Sequence, residues 1–379
     1  MKQKYTKQIA FGTWMLLIVV LSAATVLEKL FGSARISTHL YGSYPFVFLW
    51  LVCVTSSVIY IFQRKLYRNK AAFLLHCSFV CILAGAAITF LSGDRGYISI
   101  RQGETSNYYI SDNDGERHFL PFSLKLLRFD IEYHPGTNQP ADFKSFVQTE
   151  NEIHQISMNK ILKQKGYRIY QHSYDSDETG TTLFISHDPW GTNVTYAGYL
   201  LLGASLLILL WLRIGRKGFL FLAVPTACVW FYLSQLNPTT PVLRSPMLAA
   251  HVSVIMIAYT LFLFIFISGI TALCSPKRRE KLYRCNSVLL YPAVFLLIAG
   301  IFIGAVWANI SWGCYWRWDA KETWALITML VYAVPLHKKS IRMLNNPVKF
   351  HYYCVFAFLS IVITFFGVTY ILGGIHSYV

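Results

Sequence analysis

Charge is what this sequence has least of. Only 14% of its 379 residues are Asp, Glu, Lys or Arg, against 55% hydrophobic residues and a mean hydropathy of +0.43, a balance that excludes an ordinary soluble protein. Acid is scarcer than base, with 18 Asp and Glu against 34 Lys and Arg, for a formal net charge of +16. Cysteine is sparse and wrongly spaced for chemistry. The eight cysteines include no Cys-x-x-Cys pair and no Cys-x-x-Cys-His, and none falls between Cys81 and Cys228. Those absences exclude a dithiol redox centre, a covalently held c-type haem, and disulfides across the middle of the chain. Cys77 and Cys81, one helical turn apart, read as small apolar core residues. Internal repeats and low-complexity tracts are lacking as well.

What is present is apolar runs of membrane-spanning length. Crossing about 30 Å of hydrocarbon takes roughly 17 to 25 residues. The runs are 11–27, 46–62, 71–91, 196–212, 219–233, 247–273, 288–307, 320–336 and 352–372, which predicts a polytopic α-helical membrane protein with about nine transmembrane helices. The fifth run is short, and the first has a signal-peptide look at Ala23-Ala24 but reads as a retained anchor. Basic residues fall in alternate connections: Lys2, Lys4 and Lys7; Arg64, Lys65, Arg68 and Lys70; Arg213, Arg216 and Lys217; Lys277, Arg278, Arg279, Lys281 and Arg284; Lys338, Lys339 and Arg342. Lys and Arg near helix ends stay on the cytoplasmic side, so the N-terminus is expected inside and the C-terminus outside. The positive charge then belongs to a membrane surface, and no nucleic acid is required.

Residues 92–195 differ in kind. Alternating segments such as Tyr97-Ile-Ser-Ile-Arg, Phe122-Ser-Leu-Lys-Leu and Tyr167-Arg-Ile-Tyr-Gln, separated by Gly, Asn, Asp and Pro, predict one small β-rich extracytoplasmic domain. The expected organisation is three helices in 1–91, this domain in 92–195, a fourth helix in 196–217 and the remaining helices in 218–379.

Placed by depth, the histidines fall into layers. His76 lies about 8 Å inside from the cytoplasmic end of the third helix, and His337 ends the eighth helix on the same side. His251 lies near the outer end of the sixth helix, and His376 lies just beyond the ninth, also outside. Ionisable groups in membrane helices point to function by default, and neutral imidazole is a common axial ligand of haem iron. An interfacial hydrogen-bonding role is the commoner explanation for any one such histidine, and depth pairing leaves both readings open. His39 and His351 are further candidates, while His118, His134, His154, His172 and His187 belong at the surface of the β-rich domain.

In the outer layer, residues 307–324 concentrate Trp307, Trp312, Tyr315, Trp316, Trp318 and Trp324 in one connection. Interfacial aromatic belts account for part of this, and Asp319 with Glu322 has the spacing of a capping box for the eighth helix. The density of rings exceeds a belt and suits a broad, flat, apolar ligand.

Trp312-Gly-Cys-Tyr-Trp-Arg-Trp-Asp-Ala-Lys-Glu-Thr-Trp324 resembles the tryptophan-rich WWD signature of the haem-handling proteins of cytochrome c maturation, in its CcsA (ResC) form. Gly374-Ile-His-Ser-Tyr378 looks like that branch's closing motif, and Ser245-Pro-Met-Leu-Ala-Ala-His251 like its histidine segment. Leu120-Pro-Phe-Ser-Leu-Lys-Leu, Asn159-Lys-Ile-Leu and Gly166-Tyr-Arg-Ile-Tyr-Gln resemble the partner subunit CcsB (ResB). The whole chain thus resembles a fused CcsB–CcsA protein of system II. It departs in having Ala320 where the family usually has Pro, which loses only a favourable first-turn proline, and in its compact outer domain, which puts cytochrome docking there in doubt.

The resemblance implies a cytochrome c synthase that carries haem b outward and attaches it to the Cys-x-x-Cys-His of apocytochrome c. It implies haem-iron ligands His76 and His337 in the inner layer and His251 and His376 in the outer layer. Trp312, Tyr315, Trp316, Trp318, Asp319 and Trp324 would line the haem platform. It assigns no nucleophile, gives Cys314 no chemistry, and implies thioredoxin-like thiol reductants as partners in a bacterial inner membrane. The alternative is a haem exporter, or a b-type transmembrane electron conduit, without ligase activity. Conduits stack two haems between two helices, whereas these ligands lie on four separate segments.

Overall fold

The computed structural model describes residues 2–136, 138, 140–150, 152–235 and 245–373. His376 and the Gly374–Tyr378 motif therefore lie outside the described residues. Helix α1 (Lys2–Phe31) is followed by the short α2 (Ser33–Ile36) and a π-helical turn, Ser37–Tyr41. Helix α3 (Tyr44–Gln63) starts where the Ser43 side chain accepts from Phe46 N, with Pro45 in the first turn where its missing N–H costs nothing. Helix α4 (Lys70–Ser92) is capped in the same way by Asn69, which accepts from Ala72 N.

From α4 the chain enters an antiparallel sheet of eight strands: β1 (Asp94–Arg101), β2 (Thr105–Ser111), β3 (Arg117–Tyr133), β4 (Pro140–Thr149), β5 (Glu152–Ile156), β6 (Leu162–Gln164), β7 (Tyr167–Tyr174) and β8 (Gly180–His187). Their order is β5-β4-β3-β2-β1-β8-β7-β6. Alternation on β3 turns Leu120, Phe122, Leu124 and Leu126 inward, onto Ile98, Ile100, Val147, Ile169, Leu183 and Ile185. The sheet curls on itself: Ser145 of β4 donates to Gln171 Oε1 of β7 at 2.7 Å, although the two strands are far apart in the order.

At the root of the sheet Asp94 accepts from Tyr109 Oη (2.6 Å) and Ser111 Oγ (2.8 Å), and His118 bridges Asp94 and Asp114. Burial pushes the Asp94 carboxyl up, but the bonds from Tyr109, Ser111 and His118 outweigh it and hold it below the usual 3.8. Hydrogen bonds to Asp94 and then Asp114 hold His118 above its usual 6.5. The His118 contribution to stability is complete below that ordinary value and is lost as pH rises through the raised one. The Asp94 contribution is complete above its own ordinary value and is lost as pH falls through the depressed one. The contribution of this cluster to the thermal unfolding midpoint of the sheet is therefore expected to be greatest between pH 3.8 and 6.5, and His118→Gln is expected to flatten the alkaline limb. An unchanged limb in that variant would remove this linkage. The effect is small because both side chains are partly exposed.

Helix α5 (Gly191–Gln235) leaves the sheet and is interrupted at Gly215 (φ 65, ψ −177), between Arg213 and Arg216. Helices α6 (Pro246–Cys274) and α7 (Pro276–Trp312) pack along their length around Phe262, Ile265, Ala293, Val294, Leu297 and Ile298. Helix α8 (Ala320–Ala333) ends in a 3-10 turn, Val334–His337, and α9 (Pro347–Val362) continues as a π-helix, Ile363–Leu372.

Seven helices among the described residues are long and apolar enough to cross a membrane. The nine expected runs map onto these seven for two physical reasons. The fourth and fifth runs are the two segments of the interrupted α5, and the eighth run is α8, only 14 residues long before its 3-10 turn.

Candidate functional site

The inner layer is built from three helices. His76 of α4 and His337 at the end of α8 stand edge to face with ring centroids 6.1 Å apart. Each ring donates from Nδ1 to the carbonyl four residues back: His76 to Ala72 O at 2.7 Å and His337 to Ala333 O at 2.9 Å. An acceptor at Nδ1 places the ring proton there and makes Nε2 the basic, ligating nitrogen. The third wall is α1, where Phe11 and Trp14 meet the His337 ring at 6.0 and 5.1 Å. The Trp14 indole N–H is buried without an acceptor among the described residues.

His251 of α6 has the same electronic arrangement by another route. Its Nδ1 donates at 2.7 Å to the carbonyl of Gly300 on the neighbouring α7. One turn on, Gly304 leaves the space that the imidazole fills, since a Cβ there would lie 2.6 Å from His251 Nδ1 and 2.7 Å from Cε1. Gly304→Ala is therefore expected to displace the ring without touching the histidine. A His251 ring environment unchanged in the variant, read by NMR of the labelled imidazole, would show that Gly304 does not fix the ring position.

The aromatic segment begins one turn beyond Gly304. Trp307 is buried in α7 and packs on Trp312 at 4.8 Å. The helix ends at Gly313 (φ 76), whose absent side chain lets Tyr170 and Phe184 of the sheet approach, because a Cβ would sit 2.6 Å from the Tyr170 ring. Buried Asn309 ties the segment to its neighbours: Arg168 donates to its Oδ1 at 3.3 Å, Tyr196 to the same atom at 3.4 Å, and Tyr170 to its carbonyl at 3.3 Å. Tyr315 meets Tyr196 and Tyr199 of α5 at 5.8 and 5.6 Å.

Trp316 stands edge to face with Trp318, and the Trp316 indole N–H is buried without an acceptor among the described residues. Trp318 stacks on Tyr41 (4.6 Å, 11°) and meets Phe46 at 5.3 Å. Trp324 donates to Thr25 Oγ1 of α1 at 3.0 Å. Of the six rings, Tyr315 thus meets α5, and Trp318 and Trp324 meet the N-terminal segment, while the sheet reaches this stretch at Asn309 and Gly313.

Asp319 caps α8, accepting from Lys321 N at 2.9 Å, while Glu322 reaches further back than the expected box, to Arg317 N at 2.8 Å. Cys314 lies beside Arg95 at 3.8 Å and donates to Trp316 O. The two further histidine candidates lie elsewhere. His39 bonds Arg35 O within its own turn, and buried His351 faces Arg279 O at the start of α7. Those of the sheet lie at or near its surface; His118 joins the Asp94 cluster and His187 stacks on Tyr167 at 4.3 Å.

Sequence reasoning missed Phe11, Trp14, Thr25, Tyr41 and Phe46, which serve both layers from the first three helices. It also missed Asn309 and the Gly300/Gly304 pair. Only the glycines carry a sequence signal, a small-x-x-x-small spacing that marks close helix approach.

Residues 191–376 match the family model of the cytochrome C assembly protein, and residues 60–200 match that of the ResB-like family. The two matches overlap and run together from residue 60 to residue 376. Protein NrfI of Wolinella succinogenes is 39% identical over 164 residues, covering 39% of this chain and 18% of that protein. The cytochrome c biogenesis protein CcsA of Chlamydomonas reinhardtii is 35% identical over 157 residues, 38% of this chain and 44% of that protein. CcsA of Solanum lycopersicum is 30% identical over 204 residues, 43% and 65% respectively. The chain spans less than two thirds of each of these relatives.

Proposed function

The chain belongs to the cytochrome c maturation proteins of the fused CcsB–CcsA type, multi-pass membrane proteins of system II that handle haem, and from that membership we propose that it is a cytochrome c synthase. It takes haem b at the inner histidine layer, passes it outward and holds it at the WWD segment. There the two thiols of the Cys-x-x-Cys-His of an apocytochrome c add across the two vinyl groups. In each addition sulfur bonds to the vinyl carbon next to the ring and hydrogen to the terminal carbon, so no bond to the enzyme forms. The work is positioning: holding thiol and vinyl in register replaces a bimolecular encounter with an effectively intramolecular one, worth effective molarities of about 10⁵ M or more.

The observation that carries this reading is the shared state of three imidazoles. His76, His337 and His251 each donate from Nδ1 to a backbone carbonyl, which leaves Nε2 as a basic ligand for iron. Haem also carries carboxylates, which are acceptors for the buried indole N–H groups of Trp14 and Trp316. His376, which lies outside the described residues, is the proposed partner of His251.

On this reading the interruption at Gly215 reverses α5 at the cytoplasmic face and α8 crosses with its 3-10 turn, giving nine crossings of a bacterial inner membrane. The N-terminus is inside, and the sheet and C-terminus are outside. Thiol-reducing, thioredoxin-like proteins keep the substrate cysteines free.

The test is co-production with a cytochrome c in a host lacking its own maturation system, followed by detection of haem that survives denaturation. The expected product is covalent haem that disappears when the substrate's thiols are replaced. A haem-loaded preparation that never forms it, with reductant and apocytochrome supplied, would leave export or electron conduction.

A further inference from the structure

Two stretches of the first half, Asn159-Lys-Ile-Leu and Gly166-Tyr-Arg-Ile-Tyr-Gln, have no part in the proposed haem chemistry, yet both reach the last turn of α7. Ser311 donates to Asn159 Oδ1 at 3.3 Å. Along β7 the side chains alternate, so that Ile169 enters the apolar core of the sheet while Arg168 and Tyr170 face α7. Arg168 donates to Asn309 Oδ1 and Tyr170 to Asn309 O, both at 3.3 Å. The contact is shut away from water: Asn309 and Ser311 are each 4% exposed and Tyr170 is 1% exposed.

The carbonyl that Tyr170 bonds is also the one that ends the helix. Gly313 N donates to Asn309 O at 3.1 Å and Gly313 adopts φ 76, the left-handed helix ending closed by a single backbone bond. That turn sets the direction in which the chain leaves α7, and the rest of the WWD segment follows at once. The Tyr170 ring occupies the space that a Cβ on Gly313 would need, so one side chain holds the turn by both its hydroxyl and its ring. We propose that Arg168 and Tyr170 are positioning residues for the WWD segment, an inference that rests on the synthase reading. They fix the turn at Gly313 and, through it, the placing of the rings from Tyr315 to Trp324, so the β-rich domain sets the geometry of the outer haem site. The sheet has a core of its own around Ile98, Leu124, Ile169 and Leu183, which loss of the Arg168 guanidinium or the Tyr170 hydroxyl leaves intact.

The experiment compares the purified full-length wild type with Tyr170→Phe, Arg168→Gln, Arg168→Lys and the pair Arg168→Gln with Tyr170→Phe. Two readouts are taken: the part of the haem spectrum that His251→Ala removes, and kcat and KM for covalent attachment to a purified apocytochrome c. A misplacement of about 1 Å can cost on the order of 10²-fold where catalysis is positional. The pair is expected to lower kcat by that order with KM unchanged, and to alter the His251-dependent spectrum while the remaining haem signal stays as in wild type. Arg168→Lys keeps a donor and is expected to keep more of the rate than Arg168→Gln. Unchanged kcat and spectrum in the pair would overturn the proposal. So would a raised KM at unchanged kcat, which would make this face a cytochrome-docking surface, or an equal loss of all haem signals in Tyr170→Phe, which would make the contact a folding requirement. Should the pair fail to fold, Tyr170→Phe, which removes one hydroxyl, decides by the same readouts. Wild type that loads haem and yields no covalent product would overturn the synthase reading itself, and the spectrum of the variants would still test the positioning.

Discussion

Replacing His251 or His376 with alanine is expected to abolish covalent haem attachment while leaving haem detectable at the inner layer. In the proposed mechanism both residues hold haem where thiols meet vinyls, and His251 is the one of the two among the described residues. Its ring is wedged against Gly304 and its proton is committed to Gly300 O, so Nε2 is the nitrogen presented to iron. Losing an axial ligand removes both affinity and orientation, and a misplacement of about 1 Å can already cost on the order of 10²-fold where catalysis is positional. The measurement is haem stain after denaturation, normalised to the amount of synthase. Cys314 is the internal control: it lies within the same segment and has no role in the proposed mechanism, so Cys314→Ala is expected to retain most of the yield. Equal losses in all three variants would mean that the segment tolerates no change, and that the histidines have no special place in it.

The second large effect is expected in the inner layer. His76→Ala or His337→Ala should lower the haem content of the purified protein several-fold, and imidazole added during growth or purification should restore part of it by filling the vacated position. Rescue is the discriminating part. The His337 ring also packs on Phe11 and Trp14, so its loss opens a cavity, and a purely structural defect would not respond to a free ligand in this way. On the proposed route, in which haem reaches the outer layer by way of the inner one, both variants should also reduce covalent product in proportion to the haem they lose. Normal occupancy in both would reduce the pair to interfacial histidines.

Much of this architecture was legible in the residues, and the parts that were not share a cause. Apolar runs and alternate basic connections carry the membrane helices because hydropathy is a local property, and the period-2 segments carry the sheet for the same reason. His76 and His337 could be paired from depth alone, since a helix fixes about 1.5 Å per residue, and their rings do meet. The contacts of α1 could not be foreseen. Trp14 at His337 and Thr25 at Trp324 join residues some 300 positions apart, and nothing in an apolar helix announces which face meets a distant segment. Asn309 is similar: one amide among apolar neighbours becomes the meeting point of Arg168, Tyr170 and Tyr196 only after the sheet has folded back over the WWD segment. The basic stretch Arg213, Arg216 and Lys217 separated residues 196–212 from 219–233 in the sequence, and α5 is interrupted there, at Gly215.

Haem bound by paired histidines is tested most directly by the absorption spectrum of the purified protein from haem-replete cells. It predicts a low-spin, bis-histidine haem b spectrum whose pigment is released by denaturation. It also predicts that the spectrum is diminished in His76→Ala, diminished separately in His251→Ala, and absent when both are changed. Protein that is folded and membrane-inserted but carries no haem, or whose haem spectrum is unchanged in the double variant, would contradict it.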